Sequence, residues 1–76
     1  MVEALILINT TTGVMDRVYR EVKGLEQVRK SAKVTGQHDI VAIARTEVMG
    51  EIRNTLMEKI RNIDGVKETT TSLVIR

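Results

Sequence analysis

The chain has 76 residues with 12 basic and 10 acidic side chains, no cysteine and a net charge of +2. The lack of cysteine excludes disulfides and thiol catalysis, a single histidine is too few for a histidine-based metal cluster, and two excess charges are a weak electrostatic footprint for nucleic acid. A core of this size is marginal on its own, so oligomerisation is the expected support for the fold.

The first half of the chain predicts a strand, a helix and a second strand. Val2–Asn9 is a nearly continuous apolar run, typical of a strand that is buried on both faces. The hydroxyls of Thr10–Thr12 offer caps for a helix that opens at Gly13 and ends at Gly24. Alternation over Val28–Val34 predicts the second strand. The residues that this alternation places on one face are Val28, Ala32 and Val34.

The second half repeats this pattern at an offset of half the chain. Ile40–Arg45 predicts a third strand, and Thr46 is expected to cap a second helix. Asp64 and Gly65 are expected to end that helix, and Val66–Ile75 predicts the last strand. The apolar positions of the second helix are Ile52, Leu56, Ile60 and Ile63.

The resulting βαββαβ order predicts an α+β fold for residues 1–76, taken as one domain: a ferredoxin-like sandwich with a four-stranded antiparallel sheet and two helices on one face. The first and third strands are central in this topology. Because the helices cover only one face, apolar residues on the other face must contact another subunit, and a sheet-to-sheet dimer is predicted. The sequence leaves two sets open for that face: either Leu5, Leu7, Val41 and Ile43, or Ala4, Ile6, Ile8 and Ile40.

The first of two polar segments in this apolar background is the turn Gly36, Gln37, His38 and Asp39. A hairpin explains it if Gly36 takes a positive φ and Asp39 bonds local backbone. However, Asp39 opens an otherwise apolar strand, and a carboxylate there needs a partner, whether an arginine, backbone N–H groups or the ammonium group of a ligand. His38 is a weak candidate for acid–base work, because no second titratable residue is paired with it.

The second polar segment is the hydroxyl run Thr69, Thr70, Thr71 and Ser72. High β-propensity on a half-exposed edge strand explains it, and alternation points two hydroxyls each way. Together the two segments can supply N–H groups and hydroxyls for a carboxylate and a carboxylate for an ammonium, which is what a zwitterionic small molecule needs. The sequence shows no nucleophile–base pair, phosphate loop or dinucleotide fingerprint, so we expect neither an enzyme nor a cofactor or metal.

Two stretches taken together closely resemble a known family: Thr35-Gly36-Gln37-His38-Asp39-Ile40 and Gly65-Val66-Lys67-Glu68-Thr69-Thr70-Thr71. They resemble the T-G-x-[YFH]-D turn and the G-V-x-x-T-x-T strand entry of the effector-binding (RAM) domain of the Lrp/AsnC transcription regulators. The resemblance covers essentially the whole chain.

This resemblance implies sheet-to-sheet dimers that assemble into octameric or decameric rings, with an amino-acid effector in clefts between dimers. By position, the turn side of the pocket would be Gly36, Gln37, His38 and Asp39, and the strand side would be Thr69, Thr70, Thr71 and Ser72. The family often has an aromatic residue where His38 stands, which bears on the side-chain selectivity of the pocket.

No helix-turn-helix precedes the first strand, so the resemblance implies a stand-alone RAM protein without direct DNA binding. It would act on transcription of amino-acid metabolism genes by assembling with itself or with a full-length Lrp/AsnC-type regulator. A cytoplasmic protein without membrane contact is expected, because no targeting segment or span is found.

Several alternatives share the fold. One is a ligand-independent assembly partner of an Lrp/AsnC-type regulator, and another is an ACT-like regulatory domain, against which the Thr-Gly-x-His-Asp turn argues. An acylphosphatase-like enzyme is disfavoured because the loop Thr10–Gly13 has no arginine. An RNA-recognition domain is disfavoured because such domains stack bases on sheet aromatics, whereas the one aromatic residue here, Tyr19, is predicted on a helix.

Overall fold

An antiparallel sheet of four strands is the frame of the molecule: β1 (Val2–Thr10), β2 (Val28–Lys33), β3 (Ile40–Thr46) and β4 (Val66–Leu73). The structure is a computed structural model that describes residues 1–75. Helix α1 spans Met15–Lys23, and residues 49–61 form the second helix, in which a π-helical segment, Glu51–Leu56, leads into α2 (Met57–Arg61). The strand order is β2-β3-β1-β4, so the predicted ferredoxin-like βαββαβ fold with β1 and β3 in the centre is confirmed.

The hydrophobic core lies between the sheet and the two helices. Alternate residues of β1 and β3 point into it because successive side chains of a strand face opposite sides. Its fully buried members are Ala4, Ile6, Ile8, Val18, Val22, Ile40, Ala42, Ala44, Ile52, Leu56 and Ile60. The other side of the sheet, which we call the open face, therefore carries the half-buried set Leu5, Leu7, Val41 and Ile43. The structure thus decides between the two sets that the sequence left open.

The faces predicted for β2 are wrong, because the strand contains a β-bulge. Its pairing with β3 shifts just after Val28, which leaves Arg29 as the extra residue. As a result, Val28 pairs with Ala44 on the helix side of the sheet, whereas Ala32 pairs with Val41 on the open face.

The predicted hydroxyl caps are also wrong. The N-cap of α1 is Val14, and no side chain caps that helix. The Thr46 hydroxyl donates to the Val48 carbonyl at 2.8 Å instead of accepting from a helix N–H. The N-cap position before the π-helical segment is Gly50, again without a side-chain bond. At the other end of α1, Gly24 occupies the C-cap position as predicted.

Candidate functional site

Asp39 lies where the turn enters β3, and its carboxylate contacts the end of β1. Asp39 Oδ2 accepts from the Thr10 backbone N–H at 2.8 Å and from the Thr10 hydroxyl at 3.3 Å. The Asp39 backbone N–H donates to the Ile8 carbonyl at 3.0 Å. The sequence left three kinds of partner open for the Asp39 carboxylate, and the structure supplies one of them, a backbone N–H group. Within residues 1–75, Asp39 Oδ1 makes no hydrogen bond and remains available to a ligand.

The rest of the turn is tied to β1 through Asn9. The Asn9 amide nitrogen faces three acceptors: the Gln37 carbonyl at 3.2 Å, the Ile8 carbonyl at 3.3 Å and His38 Nδ1 at 3.0 Å. With the amide assigned this way, His38 accepts at Nδ1. Gly36 has a φ of +111°, and a positive φ is what this hairpin predicted. Gly36 and Gln37 are both exposed.

The four hydroxyls of β4 divide between the two faces of the sheet. Thr69 and Thr71 lie opposite the buried isoleucines of β1, so they face the helices. Thr70 and Ser72 lie opposite the leucines of β1, so they belong to the open face. The expected alternation is therefore observed.

Only one of the helix-facing hydroxyls makes a side-chain hydrogen bond among the described residues. Thr71 Oγ1 donates to the thioether sulfur of Met57 at 3.1 Å. A thioether is a weak acceptor, and Met57 itself is only 3% exposed. The Thr71 hydroxyl thus reaches a buried group but is poorly satisfied there.

The turn and the hydroxyl run lie on opposite sides of β1. Strand β1 separates β3 from β4, so the two segments are two strand spacings apart, about 10 Å. Thr69 lines a surface depression of about 200 Å³ together with Arg61 and Lys67, and no residue of the turn lines that depression. A single ligand that contacts both segments in one chain has to lie across β1.

Sequence reasoning missed two further features. An ion pair joins Arg45 Nε to Glu3 Oε2 at 2.6 Å on the open face, at the end of the sheet remote from the turn. The sequence feature that could have indicated this ion pair is Glu3, a charged residue within an apolar strand. The second feature is a crevice of about 390 Å³ between the second helix and β4, which contains Arg53 and Arg61. The spacing of Arg53, Met57 and Arg61, four residues apart on one helix, signals it.

Across the described part of the chain, no three histidine or carboxylate side chains come together as metal ligands. In the same residues, no helix has the length and apolar character needed to cross a bilayer.

The ferredoxin-like sheet, with a polar turn and a hydroxyl-bearing strand at one end, has the architecture of a regulatory effector-binding domain. The chain belongs to the family described as the Lrp/AsnC ligand binding domain, whose model matches residues 3–76. This family consists of ligand-binding domains of transcription regulators and is not a family of enzymes.

Individual relatives agree with this assignment. The chain is 30% identical over 71 residues to a protein described as the uncharacterized HTH-type transcriptional regulator PH0140 of Pyrococcus horikoshii. That match covers 93% of this chain and 45% of the regulator, so the chain spans less than half the length of this relative. The crystal structure of TTHA0845 from Thermus thermophilus superposes with a TM-score of 0.93 at 29% identity, covering 100% of this chain and 95% of that one.

A more distant structure contains a ligand. It is the L-Met complex of the transcriptional regulator NMB0573 from Neisseria meningitidis, with a TM-score of 0.85 and 17% identity. The match covers 99% of this chain and 50% of that one. At this identity, the likeness establishes a shared fold.

Proposed function

We propose that this domain binds a free amino acid and passes the signal on through its assembly, thereby modulating the transcription of genes of amino-acid metabolism. The assembly is a homo-oligomer or a mixed complex with a full-length Lrp/AsnC-type regulator. Family membership supports the effector-binding role. The methionine complex of NMB0573, which shares the fold, supports an amino acid as the class of effector.

The observation that carries this proposal is the geometry of Asp39. Its Oδ2 is held by Thr10, which fixes the carboxylate at the mouth of the turn, while Oδ1 makes no hydrogen bond within residues 1–75. A fixed carboxylate with a free oxygen suits an ammonium group. Gly36 and Gln37 are exposed, and their backbone groups would contribute to binding the ligand carboxylate.

The hydroxyl run supplies the other half of the proposed pocket. Because β1 keeps the run about 10 Å from the turn in one chain, we assign the two halves of a pocket to different subunits. In this arrangement the turn residues Gly36, Gln37, His38 and Asp39 come from one chain. The hydroxyl residues come from a neighbouring chain and are Thr69, Thr70, Thr71 and Ser72.

The open face provides the proposed means of assembly. Four half-buried apolar side chains, in the pairs Leu5–Ile43 and Leu7–Val41, form a patch on the two central strands that a second sheet would cover. Such dimers would then join into octameric or decameric rings with effector clefts between them. A ligand that bridges two dimers stabilises the ring geometry that it fits, by its difference in affinity for the alternative assemblies.

Titration calorimetry against the twenty amino acids, combined with sedimentation velocity, tests the proposal. We expect saturable heat with at least one amino acid and a ligand-dependent change in assembly size. Asp39→Asn should weaken that binding about 10- to 100-fold, because it removes the charge opposite the ammonium group. Asp64→Asn is the matched control, since the Asp64 side chain is fully exposed and, within residues 1–75, its one ion-pair partner is Arg17. No heat with any amino acid and no change in size would refute the proposal, and so would equal loss in both variants.

A second candidate is favoured by the same bonds of Asp39. Since Thr10 already satisfies one carboxylate oxygen, Asp39 has a structural role that requires no ligand. The domain would then be a ligand-independent assembly partner that modulates an Lrp/AsnC-type regulator by forming mixed oligomers. Co-purification of the two proteins that is unchanged by Asp39→Asn and by added amino acids would favour this candidate over the sensor, because asparagine keeps an acceptor for Thr10 and removes only the charge.

A further inference from the structure

The crevice between the second helix and β4 has the composition of a small-molecule site. Its volume is about 390 Å³, within the usual range for ligand pockets. The apolar part of its lining comes from Ile52, Met57 and Leu73. Its polar part comes from Arg53, Arg61 and the Thr71 hydroxyl. Apolar walls with a few polar groups are typical of sites that bind small organic molecules.

The charged side chains that line this crevice are both positive, although Glu68 lines a neighbouring depression together with Arg61. Among the described residues, neither guanidinium forms an ion pair or a hydrogen bond, whereas Arg17 and Arg45 do both. Glu58, the nearest acidic residue to Arg61 along the helix, lines a different depression together with Lys59. No acidic side chain lines the crevice itself. The site therefore attracts an anion and offers nothing to an ammonium group.

The Thr71 hydroxyl is the third polar group and is free to be redirected. It donates to Met57 Sδ at 3.1 Å, and thioether sulfur is a weak acceptor. A carboxylate oxygen entering between the arginines would offer it a stronger, charge-assisted bond. The hydroxyl lies on β4, and the arginines lie on the helix opposite, so the polar groups come from both walls.

From these contacts we infer that the crevice is a second ligand site, distinct from the turn at Asp39, and that it binds a monocarboxylate with an apolar tail and no ammonium group. The 2-oxo acids related to the aliphatic amino acids have this chemistry. The carboxylate lies between Arg53 and Arg61, and the tail lies against Ile52, Met57 and Leu73. This site needs only one chain, so it does not depend on the proposed amino-acid function.

Titration of the intact protein with 4-methyl-2-oxopentanoate tests the inference, with leucine as the matched ligand of identical tail. The binding constant is measured by calorimetry, and the location by methyl NMR shifts of Ile52, Met57 and Leu73. We expect saturable binding of the oxo acid, with shifts at methyl groups of these three residues. Arg53→Gln should weaken it about tenfold.

Lys59→Gln is the control for charge, because it removes one positive charge from the same helix but outside the crevice. It should leave the affinity for the oxo acid unchanged. Equal loss in Lys59→Gln and Arg53→Gln would overturn the inference, since the attraction would then be general electrostatics. Absence of saturable binding, or equal weakening of leucine and oxo acid by Arg53→Gln, would overturn it as well. Leucine binding by itself reports on the Asp39 site, so the two proposals fail separately.

Discussion

Replacement of Gly65 by alanine should strongly destabilise the domain, because this glycine sits against α1. Its φ is +100°, and a Cβ built there would lie 2.8 Å from Val14 Cγ2 and 3.1 Å from Val18 Cγ2. Both distances are shorter than ordinary carbon–carbon contacts. Val18 is fully buried in the core, so it has little room to move aside.

The expected loss has two parts. A non-glycine residue at this φ costs about 1–3 kcal/mol of backbone strain, and overpacking against the valines costs about another 1–3 kcal/mol. A domain of this size has a free energy of unfolding of roughly 4–11 kcal/mol. Gly65→Ala should therefore remove a large fraction of it.

The control is Gly36→Ala in the turn. Gly36 also has a positive φ, +111°, but a Cβ there would have no atom within 4 Å. The loss of stability in Gly36→Ala therefore reports the backbone strain without overpacking. Alanine also restricts the unfolded chain, but this stabilising effect is the same in both variants and cancels in the comparison. We expect Gly65→Ala to be less stable than Gly36→Ala by about 1–3 kcal/mol in urea unfolding at one fixed protein concentration. Losses that agree within about 0.5 kcal/mol would refute the packing of Gly65 against α1.

Three further variants test other contacts. Lys33 Nζ donates a hydrogen bond to Asp16 at 2.9 Å, and this bond together with the charge of Lys33 holds the pKa of the Asp16 carboxyl below its usual value. The pair therefore stabilises the fold above about pH 4, and this stabilisation is lost as the pH falls through the folded pKa of Asp16. Asp16→Asn should therefore be less stable than the parent at pH 7 in low salt, and this difference should shrink as the pH falls below about 4. A difference that stays constant on acidification would contradict this. Ile6→Val should cost about 0.5–1.5 kcal/mol in urea unfolding, because Ile6 is fully buried, and no loss would contradict the packing. Leu7→Lys should shift sedimentation toward the 8.5 kDa of one chain, and an unchanged mass would exclude the open face as the interface.

The parts of the fold that sequence reasoning predicted are those set by simple periodicity. The spacing of Ile52, Leu56 and Ile60 predicted the buried side of the second helix, and all three are fully buried. The helix itself contains the π-helical segment Glu51–Leu56, yet its core positions are unchanged. Periodicity did not predict the faces of β2, because a bulge at Arg29 shifts the alternation without any signal in residue type.

Other features depend on contacts between distant parts of the chain. Both alternating sets of β1 are aliphatic, so only the position of the helices decides that Ile6 is buried and Leu7 lies on the open face. Likewise, Asp39 was predicted to need a partner, but its pairing with Thr10 brings together residues far apart in sequence. The crevice that contains Arg53 was not predicted from the sequence, because its second wall belongs to β4.

The position of β1 between β3 and β4 affects how the domain is made. Strand β1 is synthesised before the other strands of this domain, but one of its two edges pairs with β4, whose last residue is Leu73. That pairing closes a loop of nearly the whole chain, which is entropically costly and slows folding. Until β4 has been synthesised, one edge of β1 is open to neighbouring nascent chains. Chaperone contact with the nascent chain should therefore persist until β4 has left the ribosomal exit tunnel.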